Sequence, residues 1–592
     1  MKRLMLATAV IVLLSAVCAV AQQDAVTRAM RDEMARTVSQ LRLAGMEKPY
    51  FVAYRVDEIQ QVKVSATLGD LTVTHPTRHR VLRVELRVGD YALDNSNYLA
   101  PRNFSGGASH MFSGVGQAPL DDDYAEIRRQ FWLATDAEYK KALEDLSGKR
   151  AALENRKRTD ELPDFSREEP IKLEQPRVPM ALDVPALEKL VRELSAGFKD
   201  VPEVYISSVE IEARDSYSRY LNSEGTWFTR SDPAVEFTAR AESQASSGLP
   251  LVETIHLWGK SVSDLPNREQ LTADVRAMAA RLKRRREAAS IETYNGPVLF
   301  EQRAAAEIFA QVFAPGLIGM RIPLSDDPRF EMSFSQFMGQ IGGGSFQDKI
   351  GGRVLPDFLS VVDNPKLTEY AGSELLGSCA VDDDGVPTRE TRLVQRGILK
   401  TLLTTRAPVK NISHSTGSRR GWGPAPSNLI VSSEKGTSEK ELRQELLRRA
   451  HERGLEYAIV VRRMGGGGVE SLMRMAATVT RQAAPSAILL EIYKVYPDAR
   501  EELLQGIQLT DLTGPMFKDI VAVGDKPVVY TDQFVPKMGT LFSMGFGGAG
   551  VELPKVSYVV PSLLFDDVTL TKVTGPFPAP PVSKSPLLEA SK

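Results

Sequence analysis

The stretch that decides the fold of the C-terminal half is residues 296–313, which read GPVLFEQRAAAEIFAQVF. Residues 298–300 form a short apolar run that predicts a strand, and residues 304–313 have the pattern of an amphipathic helix. The turn-forming residues 294–297 precede the strand and mark a candidate domain boundary. After the helix, glycine clusters separate strand-like runs, which predicts a mainly β architecture.

Before this stretch, helical and strand patterns alternate, which predicts an N-terminal α+β domain at residues 22–293. Residues 50–94 alternate and are rich in β-branched side chains, as strands are. Helical character recurs at residues 24–46, 121–158, 185–198 and 264–290. Residues 163–179 contain four prolines and many charges, which predicts a surface connection.

The composition is that of an ordinary globular protein. The chain has 592 residues, of which 42% are hydrophobic and 25% charged. Its 74 basic and 76 acidic residues give a net charge of −2, so no basic excess indicates nucleic-acid binding. Two cysteines exclude a disulfide scaffold, and six histidines restrict how a metal site could be built.

The first 21 residues have the pattern of a secretory signal peptide. Lys2 and Arg3 form a basic start, residues 4–17 are mostly apolar, and residues 19–21 read Ala-Val-Ala, a small-x-small cleavage pattern. The sequence therefore predicts a periplasmic or secreted protein that meets the membrane only before cleavage. An uncleaved anchor is the alternative. Lipidation at Cys18 is disfavoured, because Val17 stands where such sites prefer a small residue.

The common catalytic motifs are absent from the sequence. It contains neither HExxH nor GxSxG. Residues 545–550 match GxGxxG, but Pro554 and a strand pattern follow instead of a helix, so we do not expect a dinucleotide site. Residues 382–385 read Asp-Asp-Asp-Gly and predict a tight turn. Cys379 could act as a nucleophile with His414 as its base, although a buried structural thiol is the simpler interpretation.

Ten short pieces of the second half occur in the order of one known family: residues 296–300, 305–309, 352–355, 361–365, 382–387, 397–400, 415–417, 426–428, 509–514 and 563–568. On these pieces, residues 296–575 resemble the C-terminal part of the TldD/PmbA (TldE) family, a metallopeptidase-related family once described as modulators of DNA gyrase. The resemblance implies a mainly β, barrel-like domain at 294–575 and a charged helical insertion at about 118–180 of the N-terminal domain. The five prolines after residue 575 predict an extended or disordered tail at 576–592.

The catalytic motif of the family is degenerate in this sequence. Active members carry HExxxH, and the alignment places Ala310, Gln311 and Pro315 at its histidine, glutamate and histidine positions. Phe546 stands at the position of the family's cysteine ligand. Alanine, proline and phenylalanine offer zinc no donor atom, and Gln311 cannot act as a carboxylate base. We therefore expect no catalytic residues at these positions, no bound metal and no cofactor.

The family's non-catalytic subunit has this character: it pairs with a zinc-bearing paralogue, and the two enclose a cavity in which an extended peptide is cleaved. The resemblance thus implies a TldE-like subunit or pseudopeptidase, with a zinc-bearing paralogue or a second copy as its partner. Glycines permit close approach of a peptide backbone. Six of them are candidate peptide contacts, with ordinary tight turns as the alternative: Gly342, Gly343, Gly344, Gly465, Gly466 and Gly467.

The sequence leaves two other functional hypotheses open, so it does not decide whether the chain is an enzyme. One is an active metallopeptidase with a relocated metal site, built from some of His110, His256, His414 and His451. The other is a stand-alone exported protein that binds peptides or serves in assembly.

Overall fold

The computed structural model describes residues 24–99, 114–154, 162–332, 346–421, 423–465, 487–510, 512–534, 553–583 and 585–588. Strands predominate in these ranges and helices flank them, so the predicted α+β class is confirmed. The α-helices of the described residues are α1 (Ala25–Gln40), α2 (Tyr124–Glu154), α3 (Val184–Ala196), α4 (Arg268–Arg285), α5 (Arg303–Ile308) and α6 (Glu439–Glu452).

The strands before residue 260 form one mostly antiparallel sheet: β1 (Pro49–Thr67), β2 (Asp70–Val88), β3 (Val115–Ala118), β4 (Lys172–Glu174), β5 (Ile206–Asn222), β6 (Trp227–Ser231), β7 (Ala234–Gln244) and β8 (Pro250–Gly259). The order is β3-β2-β1-β5-β6-β4, and β7 pairs with both β5 and β8. Leu68 and Gly69 join β1 to β2 with φ angles of 48° and 82°, as a tight hairpin turn requires.

Two hydrophobic clusters attach helices to this sheet. Helices α1 and α2 pack on the first half of β1, where Met30 and Phe131 are buried with Tyr54. Helices α3 and α4 pack near its second half, where Val191 and Met278 belong to one buried cluster. The β1 strand therefore lies under helices at both of its ends, while α4 packs on the neighbouring β7 and β8.

From residue 293 onward, five strands close a barrel-like sheet. They are β9 (Thr293–Phe300), β19 (Ala458–Met464), β20 (Ala487–Val495), β22 (Ile507–Leu509) and β26 (Leu563–Lys572). Each pairs with the next in that order, and β26 pairs back to β9, which closes the ring. The smaller β18 (Gly436–Thr437), β21 (Glu501–Leu504) and β23 (Ile520–Gly524) extend this sheet. The predicted barrel-like C-terminal architecture is confirmed.

A second sheet of the C-terminal half has the order β14-β13-β10-β17-β25-β24. Its strands are β10 (Leu359–Asp363), β13 (Thr391–Gln395), β14 (Ile398–Leu399), β17 (Asn428–Ser433), β24 (Val528–Gln533) and β25 (Lys555–Val560). Two short hairpins accompany it: β11 (Glu369–Tyr370) with β12 (Ser373–Glu374), and β15 (Arg419–Arg420) with β16 (Gly423–Pro424). This sheet and the barrel share one large hydrophobic core.

The helix predicted over residues 304–313 differs from the structure. The α-helix α5 ends at Ile308, a π-helical turn spans Phe309–Phe313, and a 3-10 turn spans Ala314–Leu317. In the π turn, the Ala314 N–H donates to the Phe309 carbonyl five residues earlier. Pro315 has no N–H to donate and its ring crowds the carbonyl four residues before it, so regular α geometry cannot continue there.

The prediction of a surface connection at residues 163–179 is wrong for its first part. Asp164 is fully buried and Phe165 is 2% exposed. The Asp164 carboxylate accepts hydrogen bonds from the Lys149 ammonium at 2.5 Å and from the Asp94 N–H at 2.9 Å. Apart from the three-residue β4, the segment has no helix or strand, as its proline content suggests, but the sequence could not reveal this ion pair with α2.

The predicted tight turn at residues 382–385 is confirmed, and it makes the main polar contact between the two halves of the chain. The Gly385 N–H donates to the Asp382 carbonyl. The Asp383 carboxylate then pairs with Arg55 of β1 and Arg230 of β6, each at 2.6 Å. Burial alone raises the pKa of the Asp383 carboxyl, but these two guanidinium groups lower it well below its usual range.

Replacing Asp383 with asparagine should destabilise the fold strongly. The substitution keeps the shape but leaves Arg55 and Arg230 buried without their shared counter-charge, a loss of about 3–5 kcal/mol. This loss of stability is measured by thermal unfolding monitored by circular dichroism. Asp498→Asn, at an exposed turn, is the matched control and should leave the transition unchanged. Equal unfolding temperatures for the two variants would contradict a structural role for the Asp383 contact.

Candidate functional site

The degenerate catalytic positions lie on the irregular helical segment 303–317. Ala310 is 8% exposed, and Gln311 and Pro315 are half-buried. The side chains of Ala310 and Pro315 contain no atom that can bind a metal ion. Phe546, the fourth degenerate position, lies outside the described residues.

A cluster of aromatic rings holds this segment in place. Phe313 packs against Phe346 and Phe517, with ring centroids 5.1 and 4.9 Å away. The Phe346 ring is wedged between Gly316 and Gly514, where an added Cβ would lie 2.6 and 2.5 Å from ring atoms. Only glycine fits at these two positions, so the packing of Phe346 holds the segment in place.

The carboxylate nearest to the degenerate motif is already engaged. Glu307 of α5 is 2% exposed and pairs with Arg303 at 2.8 Å. Its other oxygen accepts a hydrogen bond from the Met464 N–H at 2.6 Å. We interpret Glu307 as a structural residue that ties α5 to β19, because both oxygens have partners. The four-residue spacing of Arg303 and Glu307 on a predicted helix would have revealed this pair in the sequence.

Two terminal strands lie next to this segment. β24 ends the second C-terminal sheet, and β8 ends the N-terminal sheet. Among the described residues, no strand pairs with the outer edge of either. Arg303 of α5 lies over the Tyr530 ring of β24, 5.4 Å from its centroid, and the two terminal strands also approach each other. Unpaired strand edges are where an extended peptide can add its backbone hydrogen bonds.

Asp532 lies on β24. Burial raises its pKa, while the Tyr530 hydroxyl, which donates to it at 2.9 Å, opposes the shift. His256 of β8 also acts on it electrostatically. The edge therefore carries a hydrogen-bonded Tyr–Asp pair rather than a set of metal ligands.

Of the six glycines predicted to contact peptide, one is described. Gly465 is buried, and its N–H already donates to the Ile488 carbonyl at 2.9 Å. Gly342, Gly343, Gly344, Gly466 and Gly467 lie outside the described residues. Peptide contact by this group stays a prediction.

The histidines considered for a relocated metal site lie on separate elements. His256 on β8 has its ring Nδ1 3.3 Å from Glu236, and His451 lies on α6. His414, in the loop 400–418, has a side chain that is 68% exposed. His110 lies outside the described residues. Within the part of the chain that the structure describes, no three His, Cys, Asp or Glu side chains are grouped to hold a metal ion.

Comparison with known proteins agrees with this architecture. The family model for the PmbA/TldA metallopeptidase C-terminal domain matches residues 293–572. A curated relative, the metalloprotease PmbA homolog of Haemophilus influenzae, is 33% identical over 94 residues. That alignment covers 15% of this chain and 20% of the relative, so the chain spans about a fifth of its length.

Solved structures share the fold. A TldE from Thermococcus kodakarensis gives a TM-score of 0.52 at 12% identity, covering 92% of this chain and 100% of that one. A candidate modulator of a DNA gyrase from Thermotoga maritima gives 0.53 at 15% identity, with coverages of 88% and 96%. A candidate modulator of DNA gyrase from Bacteroides thetaiotaomicron gives a TM-score of 0.55 at 10% identity, covering 92% of this chain and 99% of that one.

The fold is that of an α+β protein whose C-terminal half is built on a closed five-stranded sheet. Its residues 293–572 match the PmbA/TldA metallopeptidase C-terminal domain, so the C-terminal half of the chain is of the TldD/PmbA type. The family is related to metallopeptidases, and the predicted resemblance is confirmed.

Gly316→Ala should destabilise the segment that carries the degenerate motif. Its new Cβ would overlap the Phe346 ring, and overpacking of this kind costs about 1–3 kcal/mol. Gly351→Ala, where no atom lies within 4 Å but φ is +85°, serves as a control for backbone strain alone. Differential scanning calorimetry of the two variants is the measurement. A larger loss of stability for Gly351→Ala than for Gly316→Ala would contradict the close packing of Phe346 against Gly316.

Proposed function

We propose that this chain is an exported, metal-free TldE-like subunit, or pseudopeptidase, that holds extended peptides for cleavage by a zinc-bearing partner. The observation that carries the proposal is the helical segment 303–317. At the family's zinc-binding positions it has Ala310 and Pro315, and its one buried carboxylate, Glu307, is bound by Arg303 and a backbone N–H. Neither zinc binding nor activation of water by a carboxylate is available at these positions.

The sequence of the undescribed C-terminal stretches supports the metal-free proposal. Residues 333–345, 466–486 and 535–552 contain neither histidine nor cysteine. They therefore cannot supply the nitrogen and sulfur ligands on which zinc sites mostly depend. An active enzyme with a relocated site would have to draw on histidines of separate elements.

Peptide binding is supported by the strand edge beside this segment. An extended peptide that adds to β24 would gain main-chain hydrogen bonds along its length, largely independent of its sequence. It would lie next to α5, at the place where the family's active members carry their metal. A partner that contributes the zinc across this edge would complete the site.

Export is supported by the basic start, apolar core and small-x-small pattern of residues 1–21. In the described residues, no helix is long and apolar enough to cross a membrane. In an exported protein, the partner has to be exported as well, so a signal-bearing paralogue with an intact HExxxH is the expected zinc-bearing subunit.

Reconstitution tests this function. The chain should co-purify with the HExxxH-bearing paralogue of its own genome, and the pair should cleave an unstructured fluorogenic peptide that neither cleaves alone. Cleavage by this chain alone would favour the relocated metal site. Failure of the paralogue to bind or to be stimulated would favour a stand-alone binding protein.

Two single substitutions in β24, Val529→Pro and Tyr530→Pro, test whether peptide binds at this strand edge. In an antiparallel pair, neighbouring residues direct their N–H groups to opposite sides, so one proline breaks the ladder with β25 and the other removes an outward donor. We expect one variant to lose stability. The other should keep its thermal transition and lose about two- to tenfold in peptide cleavage by the reconstituted pair, the worth of one hydrogen bond. Unchanged cleavage in the stable variant would exclude this edge.

A further inference from the structure

A cavity lies between the two halves of the chain. It has a volume of about 140 Å³ and is bounded by β1, β5 and β6 on one side and by residues 376–383, β15 and β25 on the other. Six basic side chains line it: Arg55, Arg83, Arg214, Arg230, Arg420 and Lys555. We refer to it as the arginine cavity.

The carboxylates of the arginine cavity are fewer, and each is already paired. Three line it: Asp57, Asp232 and Asp383. Asp57 is bound by Arg55 and Arg83, and it accepts a hydrogen bond from the Ser218 hydroxyl at 2.5 Å. Asp232 pairs with Lys555 at 3.2 Å. The lining therefore carries three more positive than negative groups.

Two hydrogen-bond donors in the lining lack an acceptor. Among the described residues, neither Arg420 Nε nor Ser231 Oγ, both buried, has a hydrogen-bond partner. Arg420 Nη2 donates to Ser427 Oγ at 2.5 Å, but no carboxylate of the described residues lies within 4 Å of this guanidinium. Buried donors without acceptors cost free energy, so a group that supplies acceptors and negative charge would bind favourably.

The titration behaviour of Arg83 agrees with an excess of positive charge. Burial lowers its pKa, and Asp57 opposes the shift, while the neighbouring Arg55 and Arg214 lower it further. Crowded guanidinium groups of this kind are stabilised by a bound anion, which forms charge-assisted and frequently bidentate hydrogen bonds with arginine.

We propose that the arginine cavity binds a small oxyanion, a phosphate or a carboxylate, with Arg420 and Ser231 as its hydrogen-bond donors. A cavity of this volume holds several water molecules, so it has room for a tetrahedral oxyanion or a short carboxylic acid. The inference does not depend on the proposed function. A free phosphate and the terminal carboxylate of a peptide both fit this chemistry.

Calorimetric titration of the full chain tests the proposal with three probes at matched ionic strength. These are inorganic phosphate, N-acetyl-dialanine and its C-terminal amide. We expect one oxyanion per chain, with competition between phosphate and the free carboxylate and no binding of the amide. Tighter binding of the carboxylate would assign the site to a peptide terminus, and tighter binding of phosphate to the free ion. No saturable binding of either at millimolar concentration would overturn the proposal.

Substitutions of the two proposed donors test whether the oxyanion binds in the arginine cavity. Arg420→Gln should weaken it tenfold or more, since a hydrogen bond to a charged group is worth about 1.5–3 kcal/mol. Arg448→Gln, on the exposed face of α6, removes the same charge elsewhere and should bind as the parent does. If Arg420→Gln does not fold, Ser231→Ala should still weaken binding severalfold. Equal affinity in the parent and the folded variants would overturn the assignment of these two donors.

Discussion

The two halves of the molecule are held together by buried ion pairs, of which the Asp383 carboxylate between Arg55 and Arg230 is the centre. The turn that carries Asp383 comes from the C-terminal half, and both arginines come from the N-terminal sheet. Arg406 adds a parallel link, because its buried guanidinium donates to Glu224 at 2.6 Å and to the Ser166 carbonyl. A buried ion pair is costly to break, since either partner left alone is an uncompensated charge. The relative placement of both sheets depends on these contacts.

This docking brings β8 of one sheet beside β24 of the other, next to the segment with the degenerate motif. That segment is kept in shape by packing: the Phe346 ring fills the space between Gly316 and Gly514. A scaffold that depends on aromatic packing can lose its metal ligands and still fold. This packing is compatible with the prediction that Ala310 and Pro315 replace metal ligands of the family.

Much of the fold could be predicted from local patterns. The capping box of α6 is an example: Ser438 and Glu441 have the three-residue spacing that such a box requires, and both reciprocal hydrogen bonds are present. Such signals depend on neighbours in the sequence. The π turn at Phe309–Phe313 was missed, although Pro315 gave a reason for irregular geometry.

The interior polar contacts could not be predicted. Asp164 and Lys149 are near in sequence, but Asp164 belongs to a segment that was predicted to lie on the surface, and Arg55 and Asp383 are separated by more than half of the chain. No periodicity or motif links such pairs, because their proximity is a product of the folded arrangement of the sheets. The arginine cavity could not be predicted for the same reason, since its lining comes from eight separate stretches of sequence.

The central claim is that the chain keeps the family's scaffold without its metal centre. The most direct test is the zinc content of the purified chain, residues 22–592, measured by elemental mass spectrometry after exposure to zinc and removal of loosely held ions. The account predicts a value near zero. One tightly held zinc per chain would contradict it, and would mean that residues outside the degenerate helix form a metal site.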